Sequence, residues 1–341
     1  MEVATVGLDL AKHVFQVHCA DAQGRPLIRK RLRRAQVQAF FEALPPCLVG
    51  MEACASAHHW ARELSKLGHR VRLVPPQYVR PFVKTNKNDT ADAEAICEAI
   101  QRPTMRFVPA KSMDQQAVLT LHRSRDLLVR QRTMLINALR GHCAEFGLIG
   151  CKGREGVRAL IDLVRIGSAQ LPELAQAALK FIVDQIENIS DQIKQIEIKL
   201  RAWHRQNPDS QRLATIPGIG LIVATALSAT IGSAAQFKSG RQLAAWIGLV
   251  PRQFSTGGKP KLGGISKRGD GYLRRLLIHG ARSVLIRHYT GEVRSAWVAG
   301  LTSRRSTNIA TVAIANKNAR IAWAVLTRSV SYEPAKASLA G

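Results

Sequence analysis

The sequence predicts a mixed α/β domain at the N-terminus, followed by two regions that are mostly helical. Three observations lead to this fold class. Apolar, β-branched runs dominate the start of the chain, strand and helix patterns then alternate to about residue 100, and helical spacing prevails beyond it. Strands followed by strand–helix alternation are typical of a mixed sheet with helices packed on it. The chain has 341 residues, enough for about two domains that each bury a core.

The N-terminal elements follow from local patterns. Apolar runs over 3–8 and 14–19, a turn at 21–24 and a third run over 26–32 predict a meander of three strands. The order that results, β1β2β3αβ4αβ5α, is the one that a ribonuclease-H-like domain has. The remaining predicted elements are a helix over 35–44, a strand over 47–51, a helix over 56–67, a strand over 71–74 and a helix over 91–100.

The middle of the chain is predicted to be helical. Helical spacing over 115–147 predicts one long helix, and a segment with several glycines follows at 147–156. Six apolar residues then recur at the average interval of about 3.5 residues that marks a coiled-coil seam. They predict a helix hairpin or a dimer arm, with a surface helix packed on its own domain as the alternative. The six are Ile182, Ile186, Ile189, Ile193, Ile196 and Leu200.

The last region contains a short turn between apolar helices, Ile216-Pro217-Gly218-Ile219-Gly220, which resembles a helix-hairpin-helix element. Such a turn presents backbone N–H groups to a phosphate without reading sequence, although a plain helix–helix corner has the same pattern. A glycine-rich basic loop is predicted over 255–271, with helices over 272–287 and 308–327. The predicted domains are 1–110 (α/β), 111–208 (helical, coiled coil), 209–331 (helical, with the basic loop) and 332–341 (a tail).

Charge is the extreme property of this chain. Fifty lysines and arginines against twenty-four acids give a formal net charge of +26, of which residues 241–341 carry +14. Such a surplus opposes compaction by self-repulsion and favours a polyanionic partner, so nucleic acid is the first partner to consider.

Other classes of protein are excluded. No run of 18 or more uncharged apolar residues is present to span a bilayer, and aromatic residues, at 5%, are too few for a binder of anionic membranes. The N-terminus fits neither a secretory signal nor a transit peptide, so a cytoplasmic location is expected. The six cysteines form no C-x-x-C pair, which predicts reduced, mostly buried thiols rather than a zinc or redox site. No Walker-type phosphate loop is present to support an ATP-driven step.

Four acids stand at the ends of predicted elements. Asp9 ends the first strand and Glu52 ends the short strand before Ala53, while Asp89 and Asp92 lie at i and i+3 at the start of a predicted helix. An acid in an apolar run is costly without a partner, and Mg²⁺ prefers oxygen ligands. The four therefore indicate a site for one or two Mg²⁺ ions. Taken singly, Asp89 also fits an N-cap, Asp92 a first-turn acid and Glu52 a surface residue.

The basic loop is the second candidate site. Its glycines permit close backbone approach, and the hydroxyls of Ser255, Thr256 and Ser266 lie among its cations. A serine attacks a phosphodiester when a neighbouring group takes its proton and cations stabilise the developing charge. The alternative is that the loop only binds the nucleic-acid backbone and takes no part in catalysis. The cations that could hold phosphates are Arg252, Lys259, Lys261, Lys267, Arg268, Arg274 and Arg275.

Five ordered motifs, which together run from about residue 3 to 328, resemble those of the Piv/MooV-type DEDD transposases of bacterial insertion sequences. They are Gly7-Leu8-Asp9-Leu10-Ala11-Lys12, Gly50-Met51-Glu52-Ala53, Lys87-Asn88-Asp89-Thr90-Ala91-Asp92-Ala93, Ile216-Pro217-Gly218-Ile219-Gly220, and Gly248-Leu249-Val250-Pro251 through Ile265-Ser266-Lys267-Arg268-Gly269.

The resemblance implies a RuvC-like domain that holds Mg²⁺ through the four acids, a coiled-coil arm, and a C-terminal transposase domain that supplies a nucleophilic serine. It also implies donor and target DNA as substrates, a structured bridge RNA that pairs with both, and a synaptic tetramer built from dimers, whose active sites combine two subunits. A bacterial protein of this kind is expected at the nucleoid.

The position of the serine depends on how the last motif is aligned. Counting forward from Gly248-Leu249-Val250-Pro251 places it at Thr256, and counting back from Ser266-Lys267 places it at Ser255. We prefer Ser255, because that alignment requires no substitution of the serine.

The sequence thus predicts a DNA recombinase that cleaves strands through a serine-linked intermediate. The main alternative is a RuvC-like endonuclease of the Holliday-junction type, which uses the four acids alone. An RNA-binding protein without catalysis is a third possibility. A sugar-kinase or actin-type ATPase shares the start of the fold, but it lacks support here because its phosphate loops are absent.

Overall fold

A computed structural model describes residues 2–84, 89–167, 171–292 and 295–333, with the side chain of Asp89 outside that description. The chain divides between Asp114 and Gln115 into two compact units. The first unit carries a five-stranded sheet and the second is mostly helical, as predicted. Most of the predicted tail, residues 334–341, lies outside the described residues.

The first unit has the predicted order of elements. All three meander strands and every predicted helix and strand are confirmed, and the last helix begins two residues earlier than predicted. A short extra helix follows the fifth strand, where four residues are too few to give a helical period. The elements are β1 (Thr5–Asp9), β2 (Val14–Ala20), β3 (Pro26–Arg33), α1 (Val37–Glu42), β4 (Leu48–Glu52), α2 (Ala57–Lys66), β5 (Arg70–Val74), α3 (Pro76–Val79) and α4 (Asp89–Ala99).

The sheet has the strand order β3-β2-β1-β4-β5. Strand β2 is antiparallel to both of its neighbours, whereas β1, β4 and β5 are parallel. Because side chains alternate along a strand, Val6 and Leu8 enter the core on one face, together with Phe41 of α1 and Leu64 of α2. The opposite face of β1 is left for α4.

The second unit is helical in its described residues, except for one β-hairpin. The predicted helices over 115–147, 272–287 and 308–327 are confirmed with shifted ends, and the short helices α6, α10 and α12 come in addition to the predicted elements. No helix in the described parts of the chain has the length and apolar character needed to cross a bilayer. The elements are α5 (Met113–Ala144), α6 (Arg154–Ile166), α7 (Glu173–Gln206), α8 (Pro208–Ala214), α9 (Leu221–Ile231), α10 (Gly240–Ile247), β6 (Pro251–Thr256), β7 (Lys259–Ile265), α11 (Gly271–Tyr289), α12 (Ala296–Thr302) and α13 (Thr307–Arg328).

The predicted seam lies on α7, and four of its six residues are buried within this chain, whereas Ile182 and Ile196 are half-buried. Ile186 joins a cluster with Leu139 of α5, and Leu200 joins another with Val118 of α5. Between these clusters the Arg125 guanidinium on α5 pairs with Glu197, with the closest nitrogen and oxygen 2.7 Å apart. Helices α5 and α7 therefore run side by side in opposite directions. The use of this pair as a coiled-coil dimer arm stays a prediction.

The prediction of an irregular loop over 255–271 is wrong for residues 255–265. They belong to the antiparallel hairpin of β6 and β7, which turns at Gly257 and Gly258. Both glycines have positive φ, +56° and +75°, as a two-residue type I′ turn requires. An irregular stretch remains only at 266–270, between β7 and α11.

Candidate active site and nucleic-acid interface

Asp9 and Glu52 lie side by side at one edge of the sheet. Strands β1 and β4 are parallel, with Leu8 opposite Met51, and Asp9 and Glu52 are the next and last residues of these strands. Both side chains are half-buried. Burial raises the pKa of the nearby Cys54 thiol, and the negative charges of Glu52 and Asp9 raise it further. One thiol thus senses both carboxylates, which is consistent with their shared position.

Helix α4 brings the other two acids toward the same edge. Cys97 Sγ lies 4.0 Å from the carbonyl oxygen of Thr5, whereas Ala93 lies against Gly7. Helix α4 therefore runs antiparallel to β1, so its first turn, residues 89–92, lies toward Asp9. Asp92 is half-buried, and the side chain of Asp89 is outside the described residues.

The donor chemistry of this edge suits a hard cation. Carboxylate oxygens are the ligands that Mg²⁺ takes in proteins, and crowded carboxylates need a counter-charge. Among the described side chains, however, no group of three or more His, Cys, Asp or Glu lies close enough to hold a metal ion. The backbone thus brings the four acids toward one edge of the sheet, but the described side chains alone do not form a complete set of metal ligands.

Ser255 lies on β6, where every side chain is exposed. Its Oγ accepts a hydrogen bond of 2.8 Å from Nε2 of Gln253, two residues earlier on the same face of the strand. The proton of the serine is therefore not used in this contact, and it remains available for transfer. Sequence reasoning missed Gln253, although the Gly257-Gly258 pair is a turn signal typical of a hairpin.

The root of the hairpin is held tightly to the end of α10. A Cβ atom on Gly269 would lie 1.9 Å from the carbonyl oxygen of Trp246, and one on Gly248 would lie 2.1 Å from that of Arg268. Arg274 Nη1 donates to the carbonyl oxygens of Ile247 and Arg268, at 2.8 and 3.0 Å. The exposed β6–β7 hairpin, called the ribbon below, is thus anchored at its root by close backbone contacts.

A buried polar network fixes helix α11, which follows this base. Thr225 Oγ1 donates to the Leu221 carbonyl, so it accepts from Nε2 of His122, and Nδ1 of His122 accepts from the Tyr272 hydroxyl; both contacts of the ring are 3.0 Å. Burial, and to a smaller extent the Arg125 charge, lower the pKa of His122 to about 4. The ring is therefore neutral near pH 7, and the network joins α5, α9 and α11.

The predicted phosphate-binding cations fall into two groups. Arg252, Lys259, Lys261, Lys267 and Arg268 are exposed. Two others are engaged within the second unit, since Arg274 caps carbonyl oxygens as described and Arg275 pairs with Asp126 at 2.5 Å. Arg275 also stacks over the Tyr272 ring, with the guanidinium carbon 5.6 Å from the ring centre.

The predicted glycine turn connects α8 to α9. Gly218 has φ +88° and is packed so closely that a Cβ atom would lie 2.8 Å from the Gly280 carbonyl oxygen on α11. Asn318 Nδ2 of α13 donates to the Pro217 carbonyl oxygen at 2.8 Å. Gly220 is exposed, with open space where a Cβ would be. One side of the turn is thus buried in the helical core, and the other faces solvent.

Similarity to known proteins extends over almost the entire chain. A family model for DEDD transposases of the IS110 type matches residues 6–146, and the model described as "Transposase IS116/IS110/IS902 family" matches residues 210–297. The first matched range contains the sheet edge with Asp9, Glu52, Asp89 and Asp92, called the acid edge below. The second contains the β6–β7 hairpin with Ser255.

Similar proteins of full length support these matches. A probable family 20 transposase of Pseudomonas aeruginosa is 52% identical over 98% of this chain and all of the relative. The transposase for insertion sequence element IS1328 of Yersinia enterocolitica is 44% identical over 97% of this chain and 98% of the relative. That for IS1111A of Coxiella burnetii is 42% identical over 97% of this chain and 92% of the relative.

The fold, the two candidate sites and these relatives define an insertion-sequence transposase, an enzyme that transfers DNA strands. The chain belongs to the IS110/IS116 family of DEDD transposases.

Proposed function

We propose that this transposase cuts and rejoins DNA through a serine-linked intermediate, with Mg²⁺ held by Asp9, Glu52, Asp89 and Asp92 and with Ser255 as the nucleophile. The observation that carries the proposal is the convergence at the sheet edge. Strands β1 and β4 end side by side in acids, and α4 directs its first turn toward them. When bound there, Mg²⁺ would polarise the scissile phosphate and offset the charge that develops in the transition state.

Ser255 supplies the attacking oxygen in this scheme. Its Oγ forms a bond to phosphorus while the bond from phosphorus to the leaving deoxyribose oxygen breaks. The serine proton passes to a carboxylate of the acid edge, which returns it to the leaving oxygen. Gln253 holds the Oγ by donating to it, which leaves the serine proton free to depart. A second strand end later attacks the phosphoserine and releases the serine, so the number of phosphodiester bonds is conserved.

The adjacent hydroxyl of Thr256 is the other candidate nucleophile. Neighbouring residues on a strand point to opposite faces, so only one of Ser255 and Thr256 faces a given strand of DNA. We favour Ser255 because Gln253 orients its hydroxyl. The two candidates differ in which peptide of the protein becomes attached to DNA.

The DNA backbone is proposed to lie along the exposed cations of the second unit, which support this role by charge and position. They are Arg252, Lys259, Lys261, Lys267 and Arg268. Arg274 and Arg275 would contact phosphates through the guanidinium N–H groups that are not used in their contacts within the chain. The turn at Gly218 and Gly220 would act as a helix-hairpin-helix element, since its solvent side presents the start of α9 to a phosphate.

Guidance by a bridge RNA and assembly from dimers into a synaptic tetramer belong to the same proposal. They are supported by the resemblance to Piv/MooV-type transposases, by the net charge of +26 and by the long helices α5 and α7 as a coiled-coil arm. The acid edge lies in the first unit and the hairpin in the second. In the proposed tetramer, the acids of one subunit would act with the serine of another. The place of action would be the bacterial nucleoid.

Trapping of the covalent intermediate tests the proposal. Purified full-length protein is incubated with Mg²⁺, DNA that carries the joined ends of its element, and the adjacent non-coding transcript, and the products are separated under denaturing conditions. The wild type and the control Thr256→Val should give a protein–DNA adduct that maps to the Ser255 peptide, and Ser255→Ala should give none. Cleavage by Ser255→Ala without any adduct would favour the Holliday-junction-type endonuclease instead.

A further inference from the structure

The β6–β7 ribbon exposes large apolar side chains on both of its faces. Phe254 is 64% exposed and Leu262 is 65% exposed, and every residue from Pro251 to Gly264 is exposed. A two-stranded hairpin is at best marginally stable in water unless another surface covers it. Because every residue from Pro251 to Gly264 is exposed, both faces of the ribbon are open to a partner.

The pairing register divides the ribbon into two different faces. Phe254 lies opposite Lys261, and Thr256 lies opposite Lys259. Directly opposite residues of an antiparallel pair point to the same side, and alternate residues along a strand share a face. The ring of Phe254 therefore shares its face with both lysines. The register shifts at Arg252, but its Cβ lies 4.0 Å from the position that a Cβ on Gly263 would take. Because Gly263 follows Leu262 on β7, Arg252 belongs to the Phe254 face as well.

The opposite face carries the nucleophile and no cation. Ser255 lies opposite Pro260, and Gln253 lies opposite Leu262. This face is therefore neutral, with a hydrogen-bonded serine beside an apolar residue. The two sides of one ribbon thus have different binding chemistry.

We propose that the face formed by Arg252, Phe254, Lys259 and Lys261 binds a DNA strand with an unpaired base, which stacks on the Phe254 ring while the cations hold the flanking phosphates. Aromatic rings beside lysines and arginines are the composition of grooves that bind single strands, because every base has a stacking face and every phosphate a charge. Lys259 and Lys261 are about 6.8 Å apart along the strand, close to the spacing of neighbouring phosphates in an extended chain.

This inference rests on the proposed function in one respect, since it takes the ribbon to work on DNA that Ser255 cleaves. It adds a second strand: the neutral face meets the strand that is cut, while the Phe254 face holds an unpaired segment on the other side. Strand exchange requires unpaired segments of this kind, and a duplex offers no open base to the ring.

Binding measured by fluorescence anisotropy tests the inference on the full-length protein. The probes are a labelled single-stranded DNA, the duplex of the same sequence, and the single-stranded RNA of the same sequence. We expect Phe254→Ala to weaken binding of the single strand about tenfold and to change duplex binding little, and Phe254→Trp to restore the affinity. Leu262→Ala is the matched control, because it removes an equally exposed side chain from the other face.

Charge on the same face gives a second readout. Lys261→Ala should reduce the slope of log K against log salt for the single strand by about 0.7. Equal losses for single strand and duplex, equal losses for Phe254→Ala and Leu262→Ala, or a clear preference for the RNA would each overturn the inference. Because both side chains are exposed, thermal unfolding should be unchanged in both variants.

The binding and adduct assays distinguish a failure of this inference from a failure of the proposed serine mechanism. If the inference is right, Ser255→Ala binds the single strand as the wild type does, whether or not the wild type forms an adduct. An adduct that forms normally while Phe254→Ala binds normally contradicts only the inference. Conversely, dependence of binding on Phe254 without any adduct from the wild type contradicts only the serine mechanism.

Discussion

A Cβ atom added to Gly7 of β1 would lie 2.1 Å from the carbonyl oxygen of Ala93 on α4. The helix crosses the central strand at the one type of residue that lets two backbones approach so closely. Gly50 of β4 leaves room for side chains from the same part of the chain, because its Cβ would lie 2.5 Å from that of Ile100 and 3.0 Å from that of Ile96. These two glycines set the position of α4 and therefore the approach of its first turn to Asp9 and Glu52.

Replacement of Gly7 by alanine should displace α4 from the sheet. We expect Gly7→Ala to lower the free energy of unfolding by about 1–3 kcal/mol or more, and to reduce strand cleavage, because the acids at the start of α4 would move. Urea unfolding and the adduct assay measure the two effects. The control is Gly141→Ala on α5, where no atom lies within 4 Å of the added Cβ. The control should gain about 0.5–1 kcal/mol, and equal stability of the two variants would contradict the prediction.

The sequence predicted most of the first unit because its strands alternate and end in turns. It also placed Asp9 and Glu52 at strand ends. The close packing of α4 could not be predicted, because the contact of Gly7 with Ala93 joins parts of the chain that no local pattern connects. The distances between the four carboxylates depend on that tertiary contact.

The hairpin was missed for a different reason. The Gly257-Gly258 pair is a turn signal, but the cations and glycines around it resemble a solvated loop, and no buried face gives the strands an apolar period. Helix α6 was missed although its buried residues Leu160 and Val164 have helical spacing, because the glycines before it dominate the local pattern.

Stability should depend on pH through His122. Its pKa is lowered from 6.5 to about 4, so the native state binds fewer protons than the unfolded chain between these values. The free energy of unfolding therefore falls as the pH drops through this window, by roughly 2 kcal/mol at pH 5 relative to pH 7. His122→Gln keeps one donor and one acceptor but does not titrate. Urea unfolding at both pH values should show a smaller difference for the variant, and an unchanged difference would refute the role of His122.

The root of the hairpin should be sensitive to a single methyl group. Gly269→Ala places a Cβ 1.9 Å from the Trp246 carbonyl oxygen at a residue with φ +77°. We expect a lower melting temperature and a reduced yield of adduct, because the ribbon loses its fixed base. Gly264→Ala on the same ribbon has open space for its Cβ, and it should leave the melting temperature unchanged. Similar behaviour of the two variants would argue against a rigid root.

Duplex DNA binding should weaken steeply with salt. Lys267→Ala removes an exposed cation at the end of the ribbon, and it should reduce the slope of log K against log salt by about 0.9. Lys194→Ala is the control, because this lysine on α7 is paired with Asp191 at 2.9 Å. An equal reduction of the slope in both variants would mean that the overall charge, and not the ribbon, determines docking.

In the mechanism that we propose, the acids at the sheet edge and Ser255 act together in one catalytic centre. Its most direct test is the adduct assay with Asp9→Asn and Glu52→Gln in Mg²⁺, with Glu63→Gln as the control because Glu63 is on α2 and is paired with Lys66. We predict that the two edge variants bind DNA as the wild type does and form no Ser255 adduct, while the control forms it fully. A full yield of adduct from Asp9→Asn, or from the wild type after chelation of Mg²⁺, would contradict the account.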